Sequence, residues 1–187
     1  MRIVAGRLRG KKLADLGAGD ARARLRPTGD RVRESLFNVI TNGKFGDPMT
    51  GARVLDLFAG TGALGLEALS RGAAHVTFVD DGTAARALLR ENIAQCAAQG
   101  VTRVLRRDAT QLGPLRGAPF DLVFLDPPYG QALGEPALAA ARAGGWIAPG
   151  ALVAWEDSAA PLPPAGLAVL DQRRYGGTMI SLLRAGG

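Results

Sequence analysis

Arg53-Val54-Leu55-Asp56-Leu57-Phe58-Ala59-Gly60-Thr61-Gly62-Ala63-Leu64-Gly65 is the stretch that decides the fold. Its first six residues read as a buried parallel strand, and Ala63–Ser70 reads as the helix that follows. Gly60, Gly62 and Gly65 between them match G-x-G-x-x-G in the strand–loop–helix context where that pattern has physical meaning. The glycines let backbone approach a ligand, and the helix start offers N–H groups to it. Outward from here the alternation continues. Strands are expected at Ala74–Val79, Val101–Arg106, Phe120–Leu125 and Ala151–Trp155. Helices are expected at Thr83–Gln99 and Leu133–Ala143. Apolar runs joined by helical crossovers predict a parallel sheet covered on both faces. The end of the chain follows a different pattern. Leu167–Arg173 and Thr178–Leu183 flank Arg174-Tyr175-Gly176-Gly177, which reads as an antiparallel hairpin.

Upstream of the sheet, residues 2–13 read as a short hairpin and Arg26–Ile40 as an amphipathic helix, with Thr28 or Asp30 as its N-cap. This gives an N-terminal extension over 1–45 and a main domain over 46–187. The extension carries the charge. Residues 1–33 hold ten Lys/Arg against three Asp, a net +7, while the whole chain is +6. A near-neutral body with a basic arm suits an enzyme that acts on a polyanion. A merely solubilising arm is the alternative. Other signals exclude more than they reveal. One cysteine, Cys96, rules out an intrachain disulfide framework, and it reads as core. His75 is the only histidine, with no cysteine partner near, so no metal site is expected. Trp146 reads as core and Trp155 as packing at the end of strand five. No apolar run approaches the roughly 18 residues of a membrane span, and the first residues lack a signal-peptide core. A cytoplasmic monomer with no membrane partner is the expectation.

Four aspartates give the loop its chemistry. Asp56 lies four residues before Gly60, where a carboxylate repels a pyrophosphate but suits an ammonium group. Asp80 ends strand two, about 20 residues beyond the loop, where an acid accepts ribose hydroxyls; Asp81 beside it is an equal candidate. Asp108, after strand three, can accept from an adenine amine. S-adenosylmethionine, an adenosine with an amino-acid end and no phosphate, fits Asp56 and Asp108, and the third feature that favours it lies across the crevice. The fourth aspartate opens Asp126-Pro127-Pro128-Tyr129 after strand four. There a carboxylate, two rigid prolines without N–H groups and an exposed ring suit an exocyclic amine on a planar base.

Taken together these residues resemble the class I methyltransferases, and more narrowly the RsmD-type 16S ribosomal RNA guanine-N2 methyltransferases. The resemblance runs through Ile3-Val4-Ala5-Gly6, Arg9–Leu13, Arg26-Pro27-Thr28, Asp30–Asn38, Leu55–Ala73 and Asp126–Tyr129. It implies an α/β, Rossmann-like sheet of seven strands, mostly parallel with the last antiparallel, and a cofactor of S-adenosyl-L-methionine. It implies that Asp56, Gly60 and Gly62 meet the methionine end, that Asp80 takes the ribose and that Asp108 faces the adenine. Phe58, Ala109 and Thr28 join them as cofactor-binding candidates. Asp126, Pro127, Pro128 and Tyr129 would grip the target base. The implied partner is 16S ribosomal RNA, within a 30S subunit or an assembly intermediate. The Ala14–Leu25 loop matches no family pattern.

Exocyclic amines on bases are poor nucleophiles. Asp126 and the Pro127 carbonyl are expected to accept the two N–H groups and localise the nitrogen lone pair, while Tyr129 stacks on the flipped base. Arg7, Arg9, Lys11, Lys12, Arg26, Arg31 and Arg33 are the candidates for RNA phosphates, with ion pairs to Asp30 or Glu34 as the alternative for the last three. The same tetrapeptide suits an adenine-N6 DNA or RNA methyltransferase. An NAD-dependent dehydrogenase is the more distant reading.

Overall fold

The computed structural model describes residues 1–15, 30–42 and 45–186. Helix α1 (Asp30–Asn42) precedes β1 (Arg53–Leu57), α2 (Ala63–Ser70), β2 (His75–Val79), α3 (Thr83–Gln95) and β3 (Thr102–Leu105). Then follow β4 (Phe120–Leu125), α4 (Gly134–Ala143), β5 (Ile147–Asp157), β6 (Leu167–Tyr175) and β7 (Thr178–Ala185). One seven-stranded sheet runs in the order β3-β2-β1-β4-β5-β7-β6. Strands β1 to β5 are mutually parallel, and β7 is antiparallel to both β5 and β6, so β7 alone is reversed.

The strands are apolar nearly throughout because both faces are covered. Along β4, Leu122 and Phe124 enter the core beneath α1, α2 and α3, while Val123 and Leu125 enter the core beneath α4. Every residue of α2 is buried. The sheet covers one side of it; Ile3, Leu13, Leu36 and Phe37 join the same core. Gly65 makes the close approach possible. A Cβ there would stand 2.4 Å from the Phe78 ring and 2.7 Å from Val76. That close fit is what the third glycine of the fingerprint provides.

Several boundaries differ from the sequence expectation. Residues 2–13 do turn back antiparallel, with Ile3 N–H bonded to the Lys11 carbonyl, Gly10 N–H to Ile3 and Leu13 N–H to Met1, but a single bridge, Arg2 to Lys12, stands in place of extended strands. Gly6 and Gly10 both have positive φ, and a Cβ on Gly6 would strike the Ser70 carbonyl at 1.9 Å, so the segment presses onto the end of α2 instead of extending. Helix α3 stops at Gln95, four residues early, and Ala97 just beyond it has φ of 50°. Strand β5 begins four residues early despite Pro149 and Gly150; it absorbs them at a register shift opposite Phe120 and Leu122. Thr28, Arg26 and all but the first two residues of the Ala14–Leu25 loop lie outside the described residues.

Gly65→Ala is expected to lower stability by about 1–3 kcal/mol through overpacking against β2. Urea denaturation measures it, and an unchanged midpoint would refute the close-fit account.

Candidate active site

Asp81 and Asp157 aside, five neighbouring parallel strands each bring one carboxylate to the same edge of the sheet. In spatial order these are Asp108 beyond β3, Asp80 beyond β2, Asp56 in β1, Asp126 beyond β4 and Glu156 in β5. The β1–β4 boundary, where the strand order reverses, is where open α/β sheets place ligands.

The glycine loop is built from below. Asp56 is 1% exposed and its Oδ2 accepts the Gly65 N–H at 2.9 Å. It stands under the loop rather than in its mouth, and serves an N–H at the start of α2 that an anion would otherwise use. Burial pushes its carboxyl up to about 8; the Gly65 N–H opposes that, and Asp80 adds to it. Phe58 opens the loop with φ of 58°, a sparsely populated conformation for a bulky residue and one that marks functional turns. Gly60 and Gly62 also have positive φ, and a Cβ on Gly62 would meet Leu89 at 2.3 Å.

Asp80 and Asp81 differ in their surroundings. Asp80 Oδ2 accepts the Gly60 N–H at 2.8 Å and its Oδ1 the Gly82 N–H at 2.8 Å. It therefore links the glycine loop to the start of α3, whereas Asp81 is exposed. Burial raises the Asp80 carboxyl, and the two N–H bonds hold it back. Each oxygen keeps a further lone pair for a hydroxyl donor. Asp108 is exposed and caps the short helical turn Ala109–Gln111 through the Thr110 N–H at 2.8 Å. Ala109 packs into the core beneath it.

Across the β1–β4 boundary, Asp126 is partly exposed and Pro127 is buried. Tyr129 is not the free ring that the sequence suggested. It is half-buried, and its hydroxyl donates to Glu156 Oε1 at 3.1 Å and lies 3.0 Å from Thr178 Oγ1. Burial pushes the phenol up to about 12. Glu156 and Thr178 escaped the sequence reading. The only signal was a carboxylate directly after the strand-five tryptophan. That tryptophan, Trp155, is fully buried, its ring filling the space a side chain on Gly134 would need.

The basic residues divide. Arg7, Arg9, Lys11, Lys12 and Arg31 are exposed. Arg7 and Leu8 donate backbone N–H bonds to Ser70, at the far end of α2 from the glycine loop, roughly 12 Å along the helix. Arg33 contradicts its assignment as an RNA contact. It is 0% exposed, beneath the N-terminal segment, with its guanidinium against the Arg2 carbonyl and Nε 4.0 Å from Glu67. Glu67 is itself a buried junction. It accepts N–H bonds from Val4 at 2.7 Å and Ala5 at 3.0 Å, and pairs with Arg71 at 2.8 Å. Asn92, also buried, bonds both backbone groups of Ala14 and the Thr61 carbonyl, tying the N-terminal segment to the glycine loop. Elsewhere Cys96 and Trp146 are core, and His75 is partly buried at the start of β2. Among the described residues no cluster of metal-ligating side chains occurs, and no helix is long and apolar enough to cross a membrane.

A seven-stranded sheet with β7 alone reversed, and with a glycine loop after β1, defines the Rossmann-like fold of the class I methyltransferases. Residues 1–184 match the family described as Conserved hypothetical protein 95. Over 153 residues the chain is 40% identical to the Ribosomal RNA small subunit methyltransferase D of Escherichia coli, covering 82% of this chain and 72% of that protein. It is 37% identical over 156 residues to the protein of the same name in Haemophilus influenzae, covering 82% and 76%. Among solved structures, a putative methyltransferase (yhhF) from Escherichia coli superimposes with a TM-score of 0.82 at 36% identity, covering 100% of this chain and 98% of that one. The chain belongs to the Conserved hypothetical protein 95 family, that of ribosomal RNA small subunit methyltransferase D.

The Asp56 carboxyl carries a pH dependence. Its folded value, about 8, lies above its ordinary value of 3.8. The folded state therefore binds this proton more tightly, and the associated stability is complete below about pH 4 and lost as pH rises towards 8. Asp56→Asn keeps an acceptor for Gly65 but has no proton to lose. The wild type is expected to lose stability relative to this variant between pH 5 and 8, measured by urea denaturation. A pH-independent difference would refute it.

Proposed function

We propose that the protein transfers a methyl group from S-adenosyl-L-methionine to the exocyclic N2 amine of a guanine in 16S ribosomal RNA. The observation that carries this reading is the start of Asp126-Pro127-Pro128-Tyr129 at the carboxyl end of β4, one strand from the glycine loop after β1. The relatives' names support ribosomal RNA of the small subunit as the substrate, free or within a 30S particle.

The residues fit this cofactor better than a dinucleotide. Asp56 already occupies the Gly65 N–H at the start of α2, which reduces what that helix offers to a pyrophosphate. Asp80, Asp108 and Asp126 line the edge above it, and such carboxylates attract a cationic ligand and repel a phosphate. Asp80 would hold the ribose hydroxyls, the Gly60–Gly62 backbone the methionine end, and Asp108 the adenine. When bound, the group supplies an electrophilic methyl on a sulfonium.

The chain's own residues then activate the acceptor. Asp126 accepts one N–H of the amine and the Pro127 carbonyl the other, which draws the nitrogen lone pair out of the ring system. The prolines hold those acceptors rigid and supply no competing N–H. Tyr129 gives the base a face to rest on. Asp126 then takes the proton that the methylated amine must release. Outside the crevice, Arg7, Arg9, Lys11, Lys12 and Arg31 are exposed to hold phosphates.

Asp126→Ala is expected to cut turnover by about 10²–10³-fold or more while the cofactor affinity stays within a few-fold. Methylation assays on undermethylated 30S particles, naked ribosomal RNA and duplex DNA, with calorimetric titration of the cofactor, measure both. Mass mapping of the product on wild-type enzyme distinguishes guanine N2 from adenine N6. Near-normal turnover in the variant would overturn the role of Asp126. Replacing Arg7, Arg9, Lys11 and Lys12 together with Ala is expected to flatten the salt dependence of RNA affinity. The log–log slope should fall by about 0.7 for each single-strand phosphate that is no longer neutralised. An unchanged slope would remove this segment from the RNA interface.

A further inference from the structure

The bonds at the Tyr129 hydroxyl have a direction. Its burial-raised phenol stays protonated throughout the working pH range, so the hydroxyl has one hydrogen to give. That hydrogen goes to Glu156 Oε1, 3.1 Å away. Thr178 Oγ1, at 3.0 Å, then donates its own hydrogen to the tyrosine oxygen. The result is a chain from Thr178 through Tyr129 to Glu156. Its two ends are 6% and 5% exposed, respectively.

Simple satisfaction of a tyrosine hydroxyl does not require this. Tyr129 is only half-buried, and water serves such a group well. Keeping a carboxylate out of water is costly unless it is bonded, so the pairing of Glu156 with a tip residue of the proposed site is a commitment. The backbone before the ring is equally constrained, because Pro127 and Pro128 have fixed φ. The hydroxyl bonds then fix the two remaining side-chain torsions. The fold delivers the partners from separate strands. Leu125 pairs with Trp155, so Glu156 follows beside Asp126 on the adjacent strand. The reversal of β7 brings its first residue, Thr178, to this edge, next to the Asp157–Met179 pair.

We propose that Glu156 and Thr178 are positioning residues of the methyl-acceptor site: the chain Thr178 Oγ1–Tyr129 OH–Glu156 Oε1 sets the plane of the ring on which the acceptor base lies. This rests on the reading of Asp126–Tyr129 given above. The chain acts on the alignment of the amine, not on RNA affinity, which phosphate contacts dominate.

The test compares Thr178→Val, Thr178→Ser, Tyr129→Phe, Glu156→Ala, Glu156→Gln and the double variant Tyr129→Phe/Thr178→Val, on whichever acceptor the wild type methylates among 30S particles, ribosomal RNA and duplex DNA. Thr178→Val, Tyr129→Phe and Glu156→Ala are each expected to lower kcat about tenfold, since small misplacements of reacting groups are that costly. KM for the nucleic acid and the cofactor dissociation constant are expected to stay within about twofold. Thr178→Ser, which keeps the hydroxyl, and Glu156→Gln, which keeps the acceptor, are expected to recover most of the loss. The double variant is expected to be no worse than either single one, because all break one chain. Melting temperatures separate misfolding from misalignment, and Tyr129→Phe breaks the same bonds from the less buried side should Thr178→Val fail to fold. Wild-type kcat in Tyr129→Phe, or losses that multiply in the double variant, would overturn the proposal. So would a loss confined to KM. Asp126→Ala in parallel keeps the two readings apart. If it is inactive while the hydroxyl variants match wild type, only the positioning role fails. If it is active, or if the wild type methylates none of the acceptors, the site reading fails and takes the positioning role with it.

Discussion

The buried hydrogen bond from the Gly65 N–H to the Asp56 carboxylate is the constraint from which the carboxyl edge is built. It can form only because Gly65 lets α2 settle onto Val76 and Phe78. Once α2 is seated, its first turn fixes the glycine loop, and its later residues fix the N-terminal segment. Glu67 gathers Val4, Ala5 and Arg71 from α2's outer side, with Arg33 of α1 close by. Removing one member of such a group leaves buried charge or N–H groups uncompensated, which costs far more than a surface ion pair. The basic segment is thereby mounted on the same helix that carries the glycine loop. Asn92 adds a second tie, from Ala14 to Thr61.

The parts legible in the sequence were those whose cause is local. Strand β1, its loop and α2 form one contiguous stretch, and periodicity with glycine spacing specifies all three. Strand β4 came out to the residue, because its apolar run is bounded by Pro119 before and Asp126 after. Asp80 was legible as the acid that ends strand two. That Asp80 rather than Asp81 ties the glycine loop was not, since that depends on which carboxylate reaches Gly60, 20 positions away. The same holds for every missed residue. Glu67 meets partners more than 60 positions distant, Asn92 meets one 78 away, and Thr178 meets Tyr129 across 49. Arg33 was misassigned for a related reason. A basic run reads as solvated, and only the packing of Ile3 and Leu13 against α1 and α2 shows that this member turns inward. Ala148-Pro149-Gly150 precede the expected start of strand five at Ala151, yet β5 extends through them, because pairing with β4 is tolerant at the register shift.

The distribution of charge gives the proposed activity a physical logic. The rim carboxylates Asp80, Asp108 and Asp126 stand where strands end, and the chain's positive excess sits in residues 1–33. A phosphate backbone is attracted to the second region and repelled from the first. The looped segment is bonded to Ser70 at the far end of α2, so under the proposed function an RNA held by its cations stays outside the acidic edge. Only a neutral base can cross that edge without electrostatic penalty, which selects for the flipped base over its own phosphate.

β7 completes this arrangement. In an all-parallel sheet the strand beside β5 would present its last residue at the carboxyl edge, after a long crossover. The reversed strand instead presents its first residue directly after the tight Tyr175-Gly176-Gly177 turn. Thr178 thus arrives beside Glu156 on a short hairpin with little freedom, and a single hydroxyl can meet Tyr129 at 3.0 Å. One reversed strand at the end of a parallel sheet is therefore a local solution to bringing a hydroxyl to the edge where β4 delivers the ring it holds.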